Sequence, residues 1–215
     1  MVSFGAAPSA PLGTWPIRRR KERAARRLRL LQRVVREPQA HLELWYADST
    51  RFELLPVASS MWRRRGARQW VKTPGQNVRV AVCGAIRFPS RQFLFTHQPK
   101  TATTALFLPL LAQLEQRARR TGRPIVLVLD NGVPFNSRLS QAALEAASPH
   151  VRPFRLPKYN SETLNWIEGF WGHLKQTYFS RMLADEREAF YPDALRILQR
   201  LRHPERIKSL ALRSP

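Results

Sequence analysis

Residues 124–132 read Pro-Ile-Val-Leu-Val-Leu-Asp-Asn-Gly. An unbroken apolar run that ends in a turn signal fits a strand buried on both faces, and a strand of that kind needs helices on both sides of its sheet. It also leaves an acid, Asp130, at the carboxyl end of the strand. The rest of the chain must supply the covering layers.

The order of the other segments does so. His41 to Thr50 (HLELWYADST) reads as a strand ending at Asp48. VRVAVCGAI and RQFLFTHQ form a strand pair with the turn around Pro89 and Ser90. TATTALFLPLLAQLEQRARRTG has a helical pattern, in which Pro109 is expected to kink the helix or mark a start, and Gly122 to stop it. SRLSQAALEAA follows as a helix and VRPFRLPKY as a strand. In LPKYNSETLNWIEGFWGHLK, Ile167, Phe170, Trp171, Leu174 and then Tyr178 recur at three- and four-residue spacing, which is the apolar stripe of a helix. A last helix is expected from about Pro192 to Leu201. Three strands, helix, strand, helix, strand and helices imply an α/β fold, a mixed sheet flanked by helices. The ribonuclease-H-like architecture has this order.

Charge narrows the partner. Lys and Arg number 37 against 15 acids, a formal charge of +22. A surplus of that size favours a polyanion, with nucleic acid as the default, although ribosomal and membrane-surface proteins share it. Between Arg18 and Glu37, ten residues are Arg or Lys, and Leu28, Leu31 and Val35 draw a narrow apolar stripe. This is a basic helix, read either as a DNA-backbone contact through Arg18, Arg19, Arg20 and Lys21 or as a solvated helix at the domain edge. Trp62 and Trp70 bracket Arg63, Arg64, Arg65 and Arg68, which fits a stacking and phosphate-binding arm or an anchored charged loop. Residues 1–38 thus form a Pro-rich, then Arg-rich arm, 39–205 one domain, and 206–215 a tail.

Other classes are disfavoured. The single cysteine, Cys83, rules out an intrachain disulfide and fits a reducing compartment. No apolar run has the length of a membrane span, and the N-terminus has no secretion pattern, so a cytoplasmic protein is expected. His41, His97, His150, His173 and His203 lack zinc spacing, and there is no Gly-rich phosphate loop.

Three acids stand at element ends: Asp48, Asp130 and Glu168. Each has an ordinary role available. Asp48 can cap a turn, Asp130 can serve an Asp-Asn-Gly turn, and Glu168 can close a capping box with Asn165. Together at one sheet edge they could hold two Mg²⁺ ions, which take carboxylate oxygens and keep waters for substrate phosphate.

WYADSTRFELLP, MWRRRGARQWVKTPG, VAVCGAI, IVLVLDNGVPFNS and LPKYNSETLNWIEGFWGHLK resemble segments of the bacterial insertion-sequence transposases related to mariner elements, which are DDE-superfamily endonucleases. The resemblance implies a catalytic domain over 39–205 with Asp48, Asp130 and Glu168 as catalytic metal ligands, the last two 38 positions apart. It implies Mg²⁺ or Mn²⁺ as cofactor, transposon-end and target DNA as partners, and a bacterial, nucleoid-associated location. It implies strand cleavage at transposon ends followed by strand transfer. Lys158 and Lys175 join the candidate DNA contacts; Lys175 lies about two helical turns beyond Glu168 on the same face. A homodimer and a separate N-terminal helix-turn-helix half are left open. Three positions depart from the family pattern: Ser49 for a second acid, Phe135-Asn136 for a histidine, and Trp166 for a proline. They leave two alternatives open, a decayed or truncated copy that only binds DNA and a structural nucleic-acid-binding protein.

Overall fold

The central run forms the strand that the sequence demands, with partners on both sides. A computed structural model describes residues 15–54, 77–158, 161–181 and 187–208. Its five strands are β1 (Glu43–Glu53), β2 (Arg79–Phe88), β3 (Phe93–Pro99), β4 (Ile125–Leu129) and β5 (Val151–Arg155), in sheet order β3-β2-β1-β4-β5. The first three make an antiparallel meander, and β4 and β5 run parallel to β1. This is the mixed sheet expected of a ribonuclease-H-like fold. Pro153, which has no N–H to give a ladder, lies on the edge strand β5, where that loss is tolerated.

Period-two alternation along the strands divides the core into two layers. On one face, Leu44, Tyr46, Val82 and Val128 pack against Ile167, Phe170 and Leu174 of α6 (Trp166–Thr177) and Phe190 and Leu198 of α7 (Arg187–Arg200). The basic helix α1 (Trp15–Val34) joins this layer through Leu28, and its buried Gln32 donates from Nε2 to the Tyr46 hydroxyl at 2.7 Å. On the other face, Trp45, Ala47, Leu127 and Leu129 pack against Phe107, Leu110 and Leu114 of α2 (Thr104–Thr121) and Leu144 of α4 (Arg138–Ala147). Short α3 (Val133–Asn136), α5 (Ser161–Leu164) and α8 (Pro204–Lys208) complete the helices. Cys83 is a free thiol buried in the α2 layer. Among the described residues no helix is long and apolar enough to cross a membrane.

Several boundaries differ from the sequence reading. β1 does not end at Asp48; it continues to Glu53, because β2 stays paired with it as far as Glu53↔Arg79. What ends near Asp48 is the parallel pairing with β4, whose last pair is Tyr46↔Val128. Pro109 neither starts nor stops α2 and lies inside it. One backbone bond is lost there, and the burial of Leu106, Phe107, Leu110 and Leu111 on either side outweighs it. Pro192 behaves the same way inside α7, which begins at Arg187, five residues before the expected start. Gly122 does stop α2, with φ 63°, a conformation that suits glycine. Arg63, Arg64, Arg65, Arg68 and the two tryptophans around them lie outside the described residues.

The amino end of β1 is held by a buried ionic cluster. Arg117 of α2 donates to Glu43 from Nε at 2.7 Å and Nη2 at 2.9 Å, Trp45 donates from Nε1 at 2.8 Å, and Arg87 stands 3.3 Å away. Burial alone would push the Glu43 carboxyl up, yet these donors and charges hold it below its ordinary value. The cluster pins α2 to the sheet at the amino end of β1.

Candidate active site

The sheet register places two of the three acids side by side. β1 and β4 are parallel neighbours, and their last pair is Tyr46↔Val128. One two-residue step further on each strand reaches Asp48 and Asp130. Tyr46 belongs to the α6 layer, so two-residue periodicity turns Asp48 towards that layer, and Asp130 follows directly on the last residue of β4. Their adjacency is a consequence of parallel pairing, which brings the carboxyl ends of both strands to the same edge.

The third acid comes from above. α6 lays its apolar stripe on the sheet, and Glu168 lies in its first turn. The expected Asn165 cap takes another form. Asn165 occupies the N-cap position but makes no side-chain cap bond; its buried amide instead donates to the Ala47 carbonyl at 3.1 Å. The start of α6 is thereby moored to the residue just before Asp48. The side chain that looked like a local cap is a long-range tether.

The three acids act on one another electrostatically. The Asp48 carboxyl is pushed up to about 7, first by burial, then by the charges of Glu168 and Asp130. The Ser49 backbone N–H and the Trp171 indole work against that rise. The indole N–H is near enough to favour the charged form but completes no hydrogen bond among the described residues. Trp171 can sit here because Gly84, the β2 partner of Asp48, has no side chain; a Cβ on Gly84 would come within 2.6 Å of the indole ring and 2.7 Å of Phe93.

Asp130 is oriented by its own turn. The Gly132 N–H donates to Oδ1 at 2.8 Å, so the turn role is real and occupies one carboxylate oxygen. Arg155 of β5 reaches back, donating from Nη2 to the Phe135 carbonyl at 2.8 Å and more loosely from Nη1 to the Asp130 carbonyl at 3.4 Å. The Asn131 side chain donates to the Leu156 carbonyl at 2.7 Å. These bonds fix the β4 turn against the end of β5.

The sequence from 43 to 190 matches the family model for the DDE superfamily endonuclease. The chain belongs to the DDE superfamily endonucleases. It is 29% identical over 147 residues to the insertion element IS630 uncharacterized 39 kDa protein of Shigella sonnei, an alignment covering 68% of this chain and 42% of that protein. The chain thus spans less than half the length of that relative. Its fold is similar to that of Mos1 transposase in a paired-end complex with the left transposon end (TM-score 0.59, 16% identity, 93% of this chain and 59% of that one). The solved Mos1 catalytic domain with raltegravir and Mg gives a TM-score of 0.53 at 16% identity, covering 88% of this chain and 92% of that one.

Asp48, Asp130 and Glu168 fit a hard divalent cation in donor type, since all three offer carboxylate oxygens. They do not close around one point: among the described residues no three His, Cys, Asp or Glu side chains are grouped as a ready metal cage. Mg²⁺ needs less than a cage, because it binds through one or two carboxylates and keeps waters and substrate phosphate for its remaining positions.

The departures from the DDE family pattern are mostly structural. Trp166 is buried in the first turn of α6, edge-on to Phe88 with centroids 5.2 Å apart and to Tyr46 at 6.1 Å, so it anchors the helix that carries Glu168. Phe135 is fully buried and packs edge-on to Phe107 at 5.0 Å. Ser49 opens onto a groove of about 880 Å³, lined also by Arg51, Glu53, Val133, Lys175 and Gly132, the residue whose N–H holds Asp130. Lys175 is exposed along that groove, and Lys158 is exposed in the turn after β5. Of the arm residues, Arg18 pairs with Glu22 at 3.0 Å, and Arg19, Arg20 and Lys21 lie on the same helix. The Asn165 tether and the Arg155 brace were not read from the sequence. The Asp-Asn-Gly turn did foreshadow the Gly132 bond.

Proposed function

We propose that this chain is the catalytic domain of a DNA transposase that cleaves strands at transposon ends and joins them to target DNA. The observation that carries this reading is the parallel β1–β4 register, which sets Asp48 beside Asp130 under the first turn of α6. Asp48, Asp130 and Glu168 would hold Mg²⁺ or Mn²⁺, and a pair of such ions activates a water or 3′-hydroxyl and stabilises the leaving oxygen.

The chain's own residues do the positioning. Gly132 fixes one oxygen of Asp130 and leaves the other for the ion. Asn165 holds α6, and with it Glu168, against β1. The 880 Å³ groove gives a strand a path past the acids, with Arg51 and Lys175 as phosphate contacts. Arg18, Arg19, Arg20, Lys21 and Lys158 add sequence-independent attraction to DNA. A homodimer and a separate helix-turn-helix half belong to the same reading.

A second reading, a remnant that binds DNA without cutting it, draws on the absence of a closed three-residue cage among the described residues. Nicking of a supercoiled plasmid in Mg²⁺ or Mn²⁺ distinguishes the two. The transposase reading expects nicking that EDTA stops and that Asp130→Asn and Glu168→Gln abolish with DNA binding retained. A folded, DNA-binding protein that nicks under none of these conditions favours the remnant.

A further inference from the structure

We infer that the cleft between α1 and β5 is a second nucleic-acid site, a track for the phosphodiester backbone of DNA that leads to the Asp130 turn. This rests on DNA being the substrate, as argued above. The cleft has a volume of about 380 Å³. α1 contributes Arg20, Arg23, Ala24 and Arg27, and the segment from Pro153 to Pro157 forms the other wall, with Arg155 in it. No acid lines it.

The sequence builds this face by helical spacing. Ala24 and Leu28 are the buried anchors of α1, and Arg20, Arg23 and Arg27 flank them on one side of the helix. The three arginines are exposed and enter no ion pair among the described residues. From Arg20 to Arg27 the helix advances about 10 Å, enough to span neighbouring phosphates of one strand. Three guanidinium groups over that length can share neighbouring phosphates, and each can grip two oxygens at once.

Arg155 ties the track to the site. Its guanidinium reaches the Asp130 and Phe135 carbonyls while its stem lines the cleft. A strand lying between α1 and β5 therefore arrives beside the β4 turn. This placement answers an electrostatic difficulty: three carboxylates repel phosphate, and a cationic cleft next to them restores the attraction.

The test compares two double variants of the full chain with equal charge loss. Arg23→Gln/Arg27→Gln empties the cleft side. Arg119→Gln/Arg120→Gln alters the last turn of α2, in the helical layer on the other face of the sheet. Anisotropy of a fluorescein-labelled 30-base-pair duplex is followed against salt, with thermal melts to confirm that both variants fold. The cleft pair should weaken binding and make the log–log salt slope shallower by about 2, and the other pair should change it much less. Equal effects from both pairs, or no effect from the cleft pair, would overturn the track. Loss of metal-dependent nicking in Asp130→Asn does not bear on this readout, so the nuclease reading and the track can fail separately.

Discussion

The Asn165 side-chain amide donates to the Ala47 carbonyl, joining the start of the Glu168 helix to the residue that precedes Asp48. Asn165→Ala removes a buried bond and leaves that carbonyl unsatisfied, at a cost of about 1–3 kcal/mol. Because the bond also sets where Glu168 stands, Mn²⁺ affinity should fall in the fraction that remains folded. Calorimetric melts and Mn²⁺ titrations on one preparation read both effects.

Asp48 gives a pH signature. Its folded carboxyl titrates near 7, above its ordinary value, so the folded state binds the extra proton between about 4 and 7. Stability is then greatest at low pH and falls as pH rises through 7, by an amount on the order of a few kcal/mol. Asp48→Asn removes this dependence. Its melting temperature should exceed the parent's at pH 8, and the gap should shrink as pH falls towards 4. A gap independent of pH would show that Asp48 is not held under this strain.

Gly84 is a steric requirement of the site. Gly84→Ala drives a methyl group into Trp171 and Phe93, an overpacking that costs about 1–3 kcal/mol or more. The indole must shift beside Asp48. Trp171→Phe keeps most of the ring packing and removes the N–H that favours ionised Asp48, so it should raise the pH at which Mn²⁺ binding appears. A titration of Mn²⁺ affinity against pH checks this.

The Glu43 cluster serves as the contrast. Glu43→Gln leaves Arg117 and Arg87 without their buried counter-charge and should cost about 3–5 kcal/mol. It lies at the amino end of β1, before Asp48 and towards the α2 layer on the other face of the sheet, so Mn²⁺ affinity of the folded fraction should not change. Urea unfolding paired with Mn²⁺ titration separates this from the site variants.

The fold was legible where burial writes a continuous pattern. Ile125–Leu129 is apolar throughout because β4 is covered on both faces, and the α6 stripe follows from its one buried side. The tail of β1 was not legible, since Ser49 to Glu53 mixes polar and apolar residues and only pairing with β2 holds it straight. Pro192 misled as a helix start for the reason that makes propensity weak: neighbouring buried residues outweighed one missing bond. Asp130 and Glu168 could be listed from their positions at element ends, and Asp48 only from a strand end that lies five residues further on; their adjacency comes from the parallel register, which sequence does not display. The tether from Asn165 joins residues 118 positions apart, and the sequence offers a nearer partner for the same side chain.

The central claim is that Asp48, Asp130 and Glu168 act as one divalent-ion site. Direct Mn²⁺ titration, by calorimetry or by loss of the free-ion electron-spin signal, tests it on the parent and on Asp48→Asn, Asp130→Asn, Glu168→Gln and Lys175→Gln. Even outer-shell changes typically cost 10–100-fold in metal affinity, so each acid variant should lose at least about tenfold, and Lys175→Gln should not. Equal Mn²⁺ affinity across the parent and all three acid variants would contradict the account.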